Sequence, residues 1–92
     1  MFHVYLLRSC IHPQMTYIGF TTKDVSKRIA EHNRKLTKTT APHIPWKVEV
    51  VVSFADRKRA EDFEYYLKAG SGYVFAKRHF WSENPGPTKL AK

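Results

Sequence analysis

The chain has 92 residues, enough for one domain and too few to bury more than about 60–65% of its unfolded surface, so its core is small. Apolar residues at 42% and aromatics at 14% exclude an intrinsically disordered chain. The 16 basic and 8 acidic residues give a net charge of +8, the electrostatic footprint of a nucleic-acid binder; ordinary solubility charge and an anionic membrane surface are the alternatives.

Residues 2–9 alternate Phe2, Val4 and Leu6 with His3, Tyr5 and Leu7, which is the period of a strand. Cys10, the only cysteine, follows and can form neither an internal disulfide nor a cysteine-pair metal site. It reads as a half-buried residue at the strand end, with catalysis as the alternative. Pro13 marks a turn, and "MTYIGF" (15–20) is a second short strand, so the two make an antiparallel hairpin. Its Gly19 is out of place, because glycine gives a strand nothing to pack.

The segment "TTKDVSKRIAEHNRKL" (21–36) reads as a helix. Thr21 with Asp24 three residues on resembles a capping box, and Val25, Ile29 and Leu36 fall on one face with His32 in line. "TKTTAPHIPW" carries two prolines and no helical period, so a loop is expected. Residues 47–54 alternate again, with Val48, Val50, Val52 and Phe54 on one side and Lys47, Glu49, Val51 and Ser53 on the other.

A second helix, "DRKRAEDFEYYLKAGSG", is N-capped by Asp56, packs through Ala60, Phe63 and Leu67, and closes at Gly70 or Gly72. "YVFAKRHFW" gives a short third helix packing through Val74, Phe75 and Phe80 or Trp81. Residues 82–92 read as a flexible tail. The order β-β-α-β-α-α over residues 1–81 predicts an α/β (α+β) domain, a small three-stranded sheet flanked by helices. No apolar run approaches the ~20 residues that span a bilayer, and no secretory pattern is visible, so a cytoplasmic protein without membrane contact is expected.

Polar residues on apolar faces carry the functional signal. Glu64 stands on the inward stripe of the second helix, where a carboxylate needs a partner or a cation; a salt bridge at the helix edge is the plain alternative. His32 interrupts the apolar line of the first helix, and Arg28, one turn earlier, can address the same point in space. Tyr5 and Tyr17 can point to one side of the hairpin, although aromatics suit strands in any case. Two phenols, an arginine, a histidine and a carboxylate in a basic domain can cleave a phosphodiester. The arginine stabilises phosphate charge, the carboxylate holds one Mg²⁺, and a tyrosinate, or a histidine acting through a tyrosine, activates water. A tyrosine near pKa 10 needs neighbouring cations for this. Gly19 would let the backbone approach a phosphate closely.

These residues, taken in order, resemble the GIY-YIG nuclease superfamily. Tyr17-Ile18-Gly19 completes the second motif of the name, whereas His3-Val4-Tyr5 keeps only the tyrosine of the first. "DVSKRIAEHN" is similar to the family's first helix, with Arg28 and His32 on its arginine and histidine positions. "PWKVEVVVSFADRKRAEDFEYYLKAGSG" resembles the small stand-alone members, similar to the catalytic domain of the bacterial excinuclease. The resemblance covers residues 2–80.

It implies a three-stranded antiparallel sheet and a metal-dependent endonuclease acting in nucleic acid, DNA before RNA, by a one-metal in-line mechanism, with a place in DNA repair. It further implies Tyr17 as general base or water-orienting group, Tyr5 bonding water or phosphate, Arg28 on the scissile phosphate, and His32 assisting proton transfer or contacting phosphate. Glu64 would hold one Mg²⁺ or Mn²⁺. Arg8, Gly19, Lys27, Lys77 and Arg78 are the expected nucleic-acid contacts. Two positions depart from the pattern. Phe20 stands where the excinuclease domain has lysine, and the asparagine that several members place beyond the second helix is missing from "YVFAKRHF", where Arg8, Lys77 or Arg78 could substitute. A non-catalytic nucleic-acid-binding module on the same fold, and a protein adaptor working through "HFW", are the competing readings. Many members are modules attached to DNA-binding domains; this one stands alone, so either low specificity or specificity supplied by a protein partner is expected.

Overall fold

The structure is a computed structural model and describes residues 1–81, so the expected tail at 82–92 lies outside the described residues. β1 (Phe2–Ser9), β2 (Thr16–Thr21) and β3 (Trp46–Phe54) form an antiparallel sheet in the order β2-β1-β3. α1 (Val25–Asn33) links β2 to the third strand, with a 3-10 turn at Ala41–His43; α2 (Arg57–Leu67) and α3 (Gly70–His79) follow. The expected order and the antiparallel sheet are therefore present.

The alternation in β1 divides the core between two faces. Val4 and Leu6 pack with Ala60 and Leu67 of α2 and Ala76 of α3. Tyr5 and Leu7 pack on the opposite face with Trp46, bordered by Tyr17, Val25 and Ile29. The sheet thus lies between α1 and the α2–α3 pair. No helix among the described residues is long and apolar enough to cross a membrane.

β3 departs from simple alternation. Leu6 pairs with Val50 but Leu7 pairs with Val48, leaving Glu49 as the extra residue of a bulge. The slip reverses the faces, so Val48 does not share a side with Val50, Val52 and Phe54 as expected. Glu49 turns inward instead, and its Oε2 accepts from Arg8 Nε at 2.8 Å.

The helix ends hold further corrections. Asp24 is itself the N-cap of α1, so no capping box forms; Thr21 Oγ1 accepts from Lys23 N at 3.0 Å instead. α1 stops at Asn33, with Lys35 at φ 65°, and this leaves Leu36 exposed rather than on the apolar face. Asp56 caps α2 as expected, accepting from Arg59 N at 3.1 Å. The two glycines do not close α2; they begin α3. Gly70 takes φ 63°, a left-handed turn that glycine adopts without strain. At Gly72 any Cβ would collide with the Tyr66 carbonyl, so this glycine lets α3 press onto α2. α3 buries Ala76 and leaves Val74 exposed, contrary to expectation. Cys10 is exposed, one residue past the strand end.

Candidate active site

The register of the hairpin builds the site. Tyr5 pairs with Gly19 and Leu7 with Tyr17, and directly opposed residues share a face. Tyr5 and Tyr17 therefore stand side by side, ring centroids 6.3 Å apart. The Tyr5 ring lies across Gly19, where a Cβ would overlap its Cζ and Oη. The strand glycine leaves room for an aromatic ring.

α1 brings two side chains to the Tyr5 hydroxyl. Arg28 Nε donates to Tyr5 Oη at 3.3 Å, and His32 Nε2 lies 2.9 Å from the same oxygen. One helical turn separates them, as their spacing predicts. His32 is fully buried, and its Nδ1 lies 2.9 Å from Thr40 Oγ1. The Thr40 hydroxyl donates to the Thr37 carbonyl at 3.4 Å. Its oxygen is then the acceptor for His32 Nδ1–H, which assigns His32 Nε2 as acceptor of the Tyr5 proton. Donation runs in one direction, from Arg28 to Tyr5 to His32 to Thr40 to the backbone.

Electrostatics fit this chain. Burial, and then the Arg28 charge, hold His32 below the usual histidine value, so it is a neutral acceptor. Burial raises the Tyr5 phenol, and outweighs the Arg28 hydrogen bond and charge that pull it down. Arg28 is the neighbouring cation at Tyr5, and its pull is smaller than the effect of burial. Tyr5 is therefore a protonated phenol rather than a standing tyrosinate. Arg28 is itself aimed by Glu31, whose Oε1 accepts from Nη1 at 2.7 Å. Lys23 bonds the other Glu31 oxygen at 2.6 Å, and these two donors, Lys23 first, lower the carboxyl to about 2.

Tyr17 packs edge-on against His32, centroids 5.1 Å apart, and tilts toward Trp46. Glu64 stands on α2, its Oε2 2.8 Å from Lys68 Nζ. Its charge reaches Tyr5, where it opposes ionisation of the phenol. Four of the five expected catalytic residues thus converge in direct contact, and the charge of the fifth is felt at Tyr5.

The expected nucleic-acid contacts scatter. Gly19 is under Tyr5, and Lys27 is exposed on α1 beside Arg28. Arg8 lies on the opposite face, bound to Glu49 and the Pro13 carbonyl, with Trp81 5.6 Å above its guanidinium. Lys77 and Arg78 occupy the last turn of α3. Phe20 pairs with Val4 on the α2 face, stacks on Phe2, and has the Arg57 guanidinium 5.4 Å from its ring.

Compared with known families, residues 1–73 match the model of the GIY-YIG catalytic domain. The chain belongs to the GIY-YIG family. The matched span holds Tyr5, Tyr17, Arg28, His32 and Glu64 and ends before Lys77 and Arg78. A comparison with curated proteins finds no match. As a GIY-YIG domain the chain has a nuclease-type fold, and that family implies a nucleic-acid substrate and a divalent metal.

The donor set fits a hard cation that keeps most of its waters. Among the described residues no three His, Cys, Asp or Glu side chains group to hold a metal, and Glu64 offers one partly exposed carboxylate. A single carboxylate suffices for Mg²⁺, which dehydrates reluctantly.

Sequence reasoning missed Glu31, Thr40 and Asn33. Asn33 accepts from Trp46 N at 2.7 Å and donates to Trp46 O at 3.1 Å, and Trp46 Nε1 donates to the Thr40 carbonyl at 2.8 Å. This bracket ties the end of α1 to the start of β3 and seats the loop that carries Thr40. Glu31 could have been found from its helical spacing to Arg28; the other two have no local signature.

Proposed function

We propose that this GIY-YIG domain is a metal-dependent endonuclease that hydrolyses phosphodiester bonds in nucleic acid, DNA before RNA, by in-line attack of water. The carrying observation is the convergence of Arg28 and neutral His32 on the Tyr5 hydroxyl. A water at that hydroxyl gives its proton to Tyr5 Oη as the Tyr5 proton passes to His32 Nε2. The hydroxide forms the new P–O bond, and the bond to the 3′ oxygen breaks, that oxygen taking a proton from solvent to leave as a hydroxyl. His32, now an unstable buried imidazolium, returns its proton through Tyr5 to solvent. Arg28 faces the phosphate oxygens with a fork already aligned by Glu31. Tyr17 forms the second wall and orients the water.

This reading shifts the base from Tyr17, favoured on sequence resemblance, to the Tyr5–His32 pair, because His32 bonds Tyr5. Glu64 would hold one Mg²⁺ or Mn²⁺, which supplies positive charge at the phosphate and the leaving oxygen. Purified protein is expected to nick plasmid DNA with Mg²⁺ or Mn²⁺, and Glu64→Ala to abolish nicking. Equal nicking by that variant overturns the role of Glu64.

A second reading, a non-catalytic binding module, draws on the Lys68 ammonium already paired with Glu64. It predicts binding that falls steeply with salt, through counterion release, and no cleavage with either metal.

A further inference from the structure

Beside Tyr17, at the open edge of the sheet, lies a cleft of about 240 Å³. Its walls include Tyr17 and Ile18 of β2, Leu67 and Lys68 at the end of α2, Tyr73 of α3, and Trp81. Three of these walls are aromatic rings and one is an ammonium. Tyr73 is half exposed.

Two of the rings lie against cations. Trp81 lies over the Arg8 guanidinium, and Arg8 is fixed by Glu49. The Tyr73 ring carries Lys77 Nζ 5.6 Å from its centroid. An apolar slot walled by aromatics and rimmed by cations matches one chemistry above others, a flat heterocycle on an anionic chain. The volume sets a limit. It is below the roughly 300–1,000 Å³ of pockets that enclose whole small molecules, so one ring system enters while the rest of the ligand stays outside.

Position decides what that ligand is. One wall is Tyr17, a wall of the candidate active site. Another is Lys68, bonded to Glu64. The cleft therefore opens next to the place where the scissile phosphate would sit. A base stacked and paired inside a duplex cannot slide its face between side chains; only an unpaired or extruded base can.

We propose that the cleft takes one unpaired nucleobase flanking the scissile phosphate, so that the substrate is single-stranded nucleic acid or a strand with an unpaired nucleotide at the cut. This rests on the nuclease reading above for the position of the phosphate, and goes beyond it in naming the substrate class. Tyr73 is the stacking residue, and Lys68 and Lys77 hold the adjoining backbone.

The test uses the full chain in EDTA, where nothing is cut. Fluorescence anisotropy compares a labelled oligothymidylate, an abasic deoxyribose-phosphate oligomer of the same length, and a duplex. Base stacking of the usual strength makes oligothymidylate bind roughly five- to a hundredfold tighter than the abasic chain. Tyr73→Ala is expected to erase that difference while leaving abasic binding and the melting temperature unchanged; Tyr73→Phe keeps it. Equal affinity of the wild type for the two oligomers overturns the proposal, as does a Tyr73→Ala loss shared by both. The nuclease reading fails separately. If no metal supports cleavage but the Tyr73-dependent preference persists, the base cleft stands alone. In a separate assay with Mg²⁺, relaxed linear duplex cut as fast as single strands overturns the substrate class and leaves the nuclease.

Discussion

Tyr5 Oη lies 2.9 Å from His32 Nε2 and 3.3 Å from Arg28 Nε, so one phenol oxygen joins a buried neutral base to a cation. If proton transfer runs through this pair, the two residues act as a unit. Tyr5→Phe and His32→Ala are each expected to lower kcat by about 10²–10⁴. The double variant should be barely worse than either single one, since groups that act as a unit are grossly non-additive. Plasmid-nicking rates at saturating metal read this directly. Losses that multiply would show that the two side chains work independently.

His32 also makes folding depend on pH. In the unfolded chain it titrates near the ordinary ~6.5, while in the fold burial and Arg28 hold it lower. Between those values the unfolded state binds the extra proton, so stability falls as pH drops. Above ~6.5 the contribution of neutral His32 is complete. The advantage of the wild type over His32→Gln in urea is therefore expected to shrink from about pH 7.5 to about pH 5. An advantage that grows on acidification would mean that His32 is charged in the fold.

The elements and the convergence of four site residues were readable because they depend on local periods. Alternation put Tyr5 opposite the Val4 and Leu6 face, a spacing of four put Arg28 and His32 together, and Asp56 announced its helix. What escaped depends on partners distant in the chain. The bulge at Glu49 exists only relative to the register of β1, so the strand's own alternation misplaced Val48. Thr40 is defined by His32 and Asn33 by Trp46, contacts that loops create and no period encodes. The raised phenol of Tyr5 was not legible for a related reason. A sequence displays the cation but not the depth of burial that opposes it.

Gly19→Ala tests why the second strand carries a glycine. The new methyl group would overlap the Tyr5 ring, which His32 and Arg28 hold from the other side. The ring has little freedom to yield, so about 1–3 kcal/mol of overpacking cost is expected in urea unfolding. Nicking should fall further than the folded fraction accounts for, because the relay oxygen moves. Combining Gly19→Ala with Tyr5→Leu should cost less than the sum of the two, as contacting residues couple. Full additivity would place the cost of the methyl group somewhere other than Tyr5.

Asn33 is the last prediction and the one furthest from the chemistry. Its amide bonds both backbone groups of Trp46, so Asn33→Ala leaves a partly buried N–H and C=O without this partner. Two lost bonds of this kind cost about 1–3 kcal/mol or more each in desolvation. Asn33→Asp keeps the acceptor for Trp46 N but sets an anion against the Trp46 carbonyl, so it is expected to recover only part of the loss. The same bracket seats Thr40 and hence the His32 tautomer. At temperatures where Asn33→Ala is still folded, nicking should drop with KM unchanged, because the relay loosens while Arg28 and the basic surface still bind substrate. Wild-type kcat in the folded variant would show that the bracket serves stability alone.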